Sequence, residues 1–447
     1  MLSSLAVDLR ALRSLRWSPT VVHQVMILIT ELADGRDPSG PRVSGLLIEA
    51  AGVRVLVDPG GSSRGEYTLP LALTASEHLD AIVLTHAHAD HSAGLQAVMA
   101  AYPIVPVLAT PSTVALLQLL GRFTDATLAH ARPTPFYERC TFEPTCHGPA
   151  WTVRLLPAGH LLGAAMAVLE TPEGCVVCSG DVSLASQYTV RRAARPRQQA
   201  DVLVLESTYG DREFRPRGLE EARLVAQVRA ALDRGGRVLI AASPLGTAQE
   251  ILLTLAQARL QGKLAGVIWV DEVVASVNSV YAQHAPADYP RLARWIASHG
   301  NPFQLDDGLA SVVGPRDRGA ALQGPPAIIV TSPPTFRSGT SRFYARALVE
   351  AADHLILAPA GGAARQHVEQ AVAPRRVRCT IGTYGLMSHA DGASLTALAA
   401  RWRPELVVIN HGQPEAKTAL QARLAESGLH AVVARAGQPI GWPARAT

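Results

Sequence analysis

The segment Thr85-His-Ala-His-Ala-Asp-His-Ser92 places four groups able to bind a divalent metal, His86, His88, Asp90 and His91, within six residues. Neutral imidazole and carboxylate suit a borderline-soft ion such as zinc, and a catalytic site keeps one position open for water. Two ligand pairs this close can serve two ions about 3.5–4 Å apart, with water activated between them. Four such groups in six residues exceed what a purely structural core tolerates.

These residues follow the apolar run Ala81–Leu84, which reads as a buried strand. Other short strands are expected at Val25–Thr30, Val43–Ala50, Val53–Asp58, Thr152–Leu156, Ala165–Glu170, Gly174–Ser179 and Val202–Glu206, with few helices among them. From about Asp211 the pattern becomes alternating helix and strand. Leu224, Val228, Ala231 and Leu232 form a helical stripe that stops at Gly235-Gly236. The apolar strands Arg237–Ala242, Gly266–Asp271, Ala327–Thr331 and His354–Pro359 follow, as in a parallel α/β sheet. After about Gln366 short strands return, so one α/β unit interrupts another.

A chain of 447 residues suits two or three domains, and 48% apolar with 17% charged residues excludes disorder. All but two of the 41 basic residues are arginine, whose guanidinium fork matches phosphate, and the net charge of +4 permits an anionic partner. Five scattered cysteines do not form a disulfide framework; Cys175 and Cys178 fall inside a strand, and a reducing cytoplasm is expected. No run of about 20 apolar residues predicts a membrane span, and the opening residues lack a signal-peptide core.

The motif H-x-H-x-D-H resembles the signature of the metallo-β-lactamase superfamily, and the rest of that pattern follows in order. The resemblance implies an α/β fold, the αββα metallo-β-lactamase sandwich. Leu56-Val-Asp-Pro-Gly-Gly61 is similar to its first motif, with Asp58 holding ligand histidines by hydrogen bonds. Ala158-Gly-His160 supplies His160, Ser179-Gly-Asp181 the carboxylate shared by both metals, and Asn410-His411-Gly412 the last histidine. Carried over, one ion takes His86, His88, His160 and Asp181, and the other Asp90, His91, Asp181 and His411. The cofactor implied is two zinc ions or another divalent pair.

Glu206-Ser-Thr-Tyr-Gly210 resembles motif A of the β-CASP nucleases, the branch containing the endonuclease of pre-mRNA 3′-end processing and its prokaryotic relatives. Met387-Ser-His-Ala-Asp391 is similar to motif B, which makes His389 the acid-base histidine and Glu206 its orienting carboxylate. His411 doubles as motif C; with Glu206 it leans toward RNA over DNA as partner. The branch implies residues 1–24 as an N-terminal extension, 25–210 and 367–447 as the two parts of the core, and 211–366 as the inserted β-CASP domain. Neither a KH domain nor a ribonuclease-J-type tail is expected. A homo-oligomer is compatible with the sequence.

The insert departs from the family pattern. Phe214 stands where histidine is common, Ser243 and Thr247 replace phenylalanine and arginine, and the usual Asp-Ser-Pro is Asp271-Glu-Val273. The Gly-rich substrate loop is reduced to Thr331-Ser-Pro-Pro-Thr-Phe-Arg-Ser-Gly-Thr-Ser341, with Ser341 retained as a candidate substrate contact. Arg191, Arg192, Arg195 and Arg197, between two site motifs, are expected to meet phosphates. Competing readings are a non-cleaving scaffold subunit and a hydrolase of a small ester, lactone or thioester.

Overall fold

The computed structural model describes residues 26–32, 44–61, 69, 73, 78–143, 149–303, 311–314, 318–360 and 364–443; the expected N-terminal extension, 1–24, lies outside them. Three sheets carry the fold. The first runs, in spatial order, Pro439–Pro443, Met26–Glu31, Leu46–Ala50, Val53–Val57, Ala81–Val83, Val107–Ala109 and Ala131–Pro133. The second runs Ala431–Val433, Leu406–Ile409, Val202–Leu205, Gly174–Cys178, Ala165–Thr171, Trp151–Pro157 and Arg139–Phe142.

These two sheets face each other across a core of Ile27, Ile48, Val55, Val83, Leu155, Val176, Val204 and Val408. Side chains alternate along a strand, so Ala81 and Val83 enter that core while Ile82 and Leu84 join the cluster under the outer helices. Both faces are covered, which is why Ala81–Leu84 reads as an unbroken apolar run. Helices Leu95–Ala101 and Pro111–Leu119 add Val98, Leu116 and Leu117 to the outer cluster, and Gly392–Trp402 and Pro414–Glu426 add Leu398, Trp402 and Leu420. This is the αββα sandwich expected.

The third sheet is wholly parallel, in the order Ser311–Val313, Val267–Asp271, Ala327–Thr331, Val238–Ala241, Leu355–Pro359 and Thr380–Tyr384. Its alternate residues fill separate clusters on its two faces, Val238 and Ile240 on one, Leu239 and Ala241 on the other. The alternating helix and strand read from the sequence is therefore this second α/β unit. Its last strand, Thr380–Tyr384, lies beyond residue 366.

Candidate metal centre

The site is assembled at the carboxyl ends of strands from both core sheets, where loops are free to present side chains to one another. Ala81–Val83 is followed by His86 and His88, and the single turn Ala89–Ser92 carries Asp90 and His91. Trp151–Pro157 leads to His160, Gly174–Cys178 to Asp181, Val202–Leu205 to Glu206 and Leu406–Ile409 to His411. His389 precedes helix Gly392–Trp402. Ligand-type atoms of His86, His88, His160 and Asp181 lie within 4.8 Å of one another, as do those of Asp90, His91 and His411.

Asp181 faces both groups with different oxygens. Oδ2 is 3.5 Å from His86 Nε2 and 3.6 Å from His160 Nε2, while Oδ1 is 3.4 Å from His91 Nε2 and 3.4 Å from His411 Nδ1. All five residues are buried. His91 Nε2 and Asp181 Oδ1 have no hydrogen-bond partner among the described residues. Buried polar atoms are ordinarily paired, so convergent unpaired ones mark a place shaped for a missing ligand. Imidazole nitrogens around a shared carboxylate are the donor set that zinc prefers. The residues fit the metal pair.

Hydrogen bonds fix which ring atom each histidine offers. Asp58 accepts at Oδ2 from His91 Nδ1 at 2.8 Å, leaving Nε2 to point inward. The same carboxylate accepts from Thr85 N at 2.7 Å and Thr85 Oγ1 at 2.6 Å, and Thr85 Oγ1 lies 3.0 Å from His86 Nδ1. One aspartate thus reaches His91 directly and His86 through Thr85. It does so from a left-handed backbone, φ 58°; His411 shares that conformation at φ 40°. His160 Nδ1 donates to the Ser388 carbonyl at 2.9 Å, and His411 Nδ1 lies 3.1 Å from Thr208 Oγ1.

The electrostatics follow from burial and neighbours. Burial, then the charge on His91, drives His86 well below the usual histidine range; burial, then His389, does the same to His160. Burial also lowers His88. Burial opposes charge on His91, but Asp181 and Asp58 raise it well above the ordinary value. Burial likewise opposes ionisation of Asp181, yet His91 and His411 hold it well below the carboxylate range.

His389 stands against this cluster, with Nδ1 3.2 Å from each Glu206 oxygen and Nε2 3.8 Å from Asp181 Oδ2. Burial disfavours its charged form, but Glu206 and Asp181 push it up to about 9. Glu206 is itself buried and accepts from Val182 N, directly after Asp181. The Tyr209 ring lies 5.7 Å from that of His389 and 5.1 Å from that of Phe214, the residue that departs from the family pattern.

The candidate substrate residues lie differently. Arg192, Arg195 and Arg197 are exposed, with no hydrogen bond or ion pair among the described residues. Arg191 is half-buried and donates from Nε to the Asp288 carbonyl at 2.7 Å, joining core to insert. Ser341 is fully buried in helix Gly339–Leu348; its N donates to the Ser332 carbonyl at 3.0 Å and its hydroxyl lies 3.5 Å from the Ser338 carbonyl. No hydrogen bond among the described residues joins it to the metal cluster. Thr85, Thr208 and Tyr209 act as positioning side chains that the sequence did not single out, though each adjoins or belongs to one of its motifs.

This sandwich, with histidines and aspartates gathered at one edge, defines a class of metallohydrolase, and comparison with known proteins agrees. Residues 40–212 match the metallo-beta-lactamase superfamily model, and residues 374–434 match the Zn-dependent metallo-hydrolase RNA specificity domain. The uncharacterised protein sll0514 of Synechocystis sp. is 31% identical over 90% of this chain and 72% of its own length. Transcription termination factor FttA of Methanothermobacter thermautotrophicus is 28% identical over 82% of this chain, which spans 64% of that factor. An RNase J-like protein of Methanocaldococcus jannaschii is 25% identical over 82% of this chain and 88% of its own. A crystal structure of a protein of unknown function from Enterococcus faecalis V583 shares the fold, with TM-score 0.55, 14% identity, and coverage of 93% and 100%. The chain belongs to the metallo-β-lactamase superfamily, in its β-CASP branch.

Proposed function

We propose that the chain is a nuclease that hydrolyses phosphodiester bonds in RNA with two divalent ions, most readily zinc. The observation that carries this reading is Asp181 presenting one oxygen to His86 and His160 and the other to His91 and His411, with the Glu206–His389 pair beside it. His86, His88, His160 and Asp181 would hold one ion, and Asp90, His91, Asp181 and His411 the other. When bound, such a pair neutralises phosphate charge and makes water nucleophilic at neutral pH.

The chain's own residues supply the remainder. Asp58 fixes His91 directly and His86 through Thr85. Glu206 accepts the Nδ1 proton of His389, which leaves Nε2 facing the cluster to give a proton to the departing 3′-oxygen. Residues 374–434, matched by the RNA specificity model, include both His389 and His411, which favours RNA over DNA. Four described cysteines are free, in keeping with a reducing cytoplasm, and no described helix is long and apolar enough to cross a membrane.

The test is incubation of zinc-loaded protein with labelled RNA and DNA, with and without chelator. Cleavage of RNA that chelation abolishes is expected. Full zinc occupancy with neither nucleic acid cut, and a small ester hydrolysed instead, would overturn the reading.

A further inference from the structure

The inserted α/β unit grips one loop of the metal site at several points, and that loop carries His160. Helix Thr247–Leu260 begins at Gly246, where φ is 86° and an added Cβ would stand 3.1 Å from Leu161 Cβ. Gln249 holds this turn by accepting from Gly246 N at 2.9 Å. From helix Glu272–Asp288, the fully buried Tyr281 hydroxyl accepts from Leu162 N at 3.1 Å.

The other side of the loop is reached through a buried polar relay. Glu250, 2% exposed, accepts from Tyr188 N at 3.0 Å, from Thr189 N at 2.6 Å, from the Thr189 hydroxyl and from Arg217. Arg217 also reaches Gln187 Oε1 at 3.5 Å, and Gln187 Nε2 donates to the Gly159 carbonyl. Gly159 has no room to adjust: an added Cβ would stand 2.4 Å from the Ser183 carbonyl oxygen and 2.6 Å from Ala193 N. A buried carboxylate with four donors is rigid, since removing any one leaves charge without compensation.

We infer that the insert is a structural part of the metal centre: Glu250 and Tyr281, neither of them a ligand, are positioning residues that set His160 for the metal. The inference goes beyond the nuclease reading, because it holds whatever substrate is cut. It predicts that docking of the insert and affinity of the His86–His88–His160–Asp181 group are linked. Removing supports behind metal ligands typically weakens metal affinity roughly 10–100-fold.

The experiment measures zinc affinity by chelator competition, and the visible spectrum of the cobalt-loaded protein, in Glu250→Gln and Tyr281→Phe. The latter keeps the ring and its packing, so it remains informative if Glu250→Gln fails to fold. Val368→Ala is the control, fully buried in the insert's far cluster without contact to the His160 loop. Expected is roughly tenfold weaker binding of one of two metals and an altered cobalt spectrum in Tyr281→Phe, and in Glu250→Gln where it folds, with Val368→Ala unchanged in both despite a lower melting temperature. Unchanged affinity and spectrum in Tyr281→Phe, or an equal change in Val368→Ala, would overturn the inference.

Discussion

Two buried aspartates, one in each α/β unit, stand in opposite circumstances. Asp271, at the end of an insert strand, accepts from Val274 N, Thr331 Oγ1, Ser332 N and Ser332 Oγ at 2.7–3.2 Å. Asp181, at the end of a core strand, has one oxygen with no hydrogen-bond partner among the described residues and is surrounded by imidazole nitrogens at 3.4–3.8 Å. Burial is nearly equal, 1% and 2% exposed. The difference lies in where each carboxylate's partners come from: Asp271 is satisfied by its own fold, whereas Asp181 requires something the chain lacks. A satisfied buried charge holds structure, and an unsatisfied one surrounded by ligand atoms awaits an ion.

The severest way to break this comparison is Asp181→Ala. Because both groups of histidines face this residue, the two-ion reading predicts that zinc content drops by more than one ion and that RNA cleavage vanishes, as read by metal analysis and gel assay. Retention of two ions would remove Asp181 from the bridge. Next is His389→Ala, which should slow cleavage roughly 10²–10⁴-fold while leaving zinc content near that of the parent. A drop in zinc instead would make His389 a ligand.

Asp271→Asn sharpens the contrast from the other side. It turns an acceptor toward donors it can no longer match, so urea unfolding should report a destabilisation of about 1–3 kcal/mol, with zinc content at saturating metal unchanged. The smallest effect is expected from Arg192, Arg195 and Arg197 replaced together by alanine. They are exposed and unpaired among the described residues, so the fold should be indifferent. If they meet phosphates, RNA binding weakens and the slope of log K against log salt flattens by about 0.7 for each phosphate no longer neutralised. An unaltered slope would place the phosphate-binding arginines elsewhere.

What the sequence disclosed follows the same division. His86 to His91 are adjacent in the chain, and the strand Ala81–Val83 that leads to them is apolar on both faces, so motif and strand could be read together. Strands of three residues such as Val107–Ala109 and Ala131–Pro133 are too short to show a period. Pairings between distant segments are also hidden: nothing near Glu250 announces Thr189, nor Tyr281 Leu162. Ser341 is a different case. A serine near a substrate loop looks available, but here packing of helix Gly339–Leu348 buries it completely. Arg191 differs from its neighbouring arginines for a similar reason, its guanidinium being tied to the Asp288 carbonyl.

The left-handed backbone at Asp58 and at His411 carries a consequence for the energy of the fold. Among the non-glycine residues in that conformation these two belong to the site, and such a conformation costs a residue with a Cβ of order 1 kcal/mol or more. Glycine adopts it freely. Asp58→Gly should therefore be more stable to heat than Asp58→Ala, although both abolish the hydrogen bonds to Thr85 and His91. At these two positions the chain tolerates a less comfortable backbone so that the Asp58 carboxylate can hold His91 and Thr85 and the His411 imidazole can join the cluster, and stability and site geometry are set against each other within single residues.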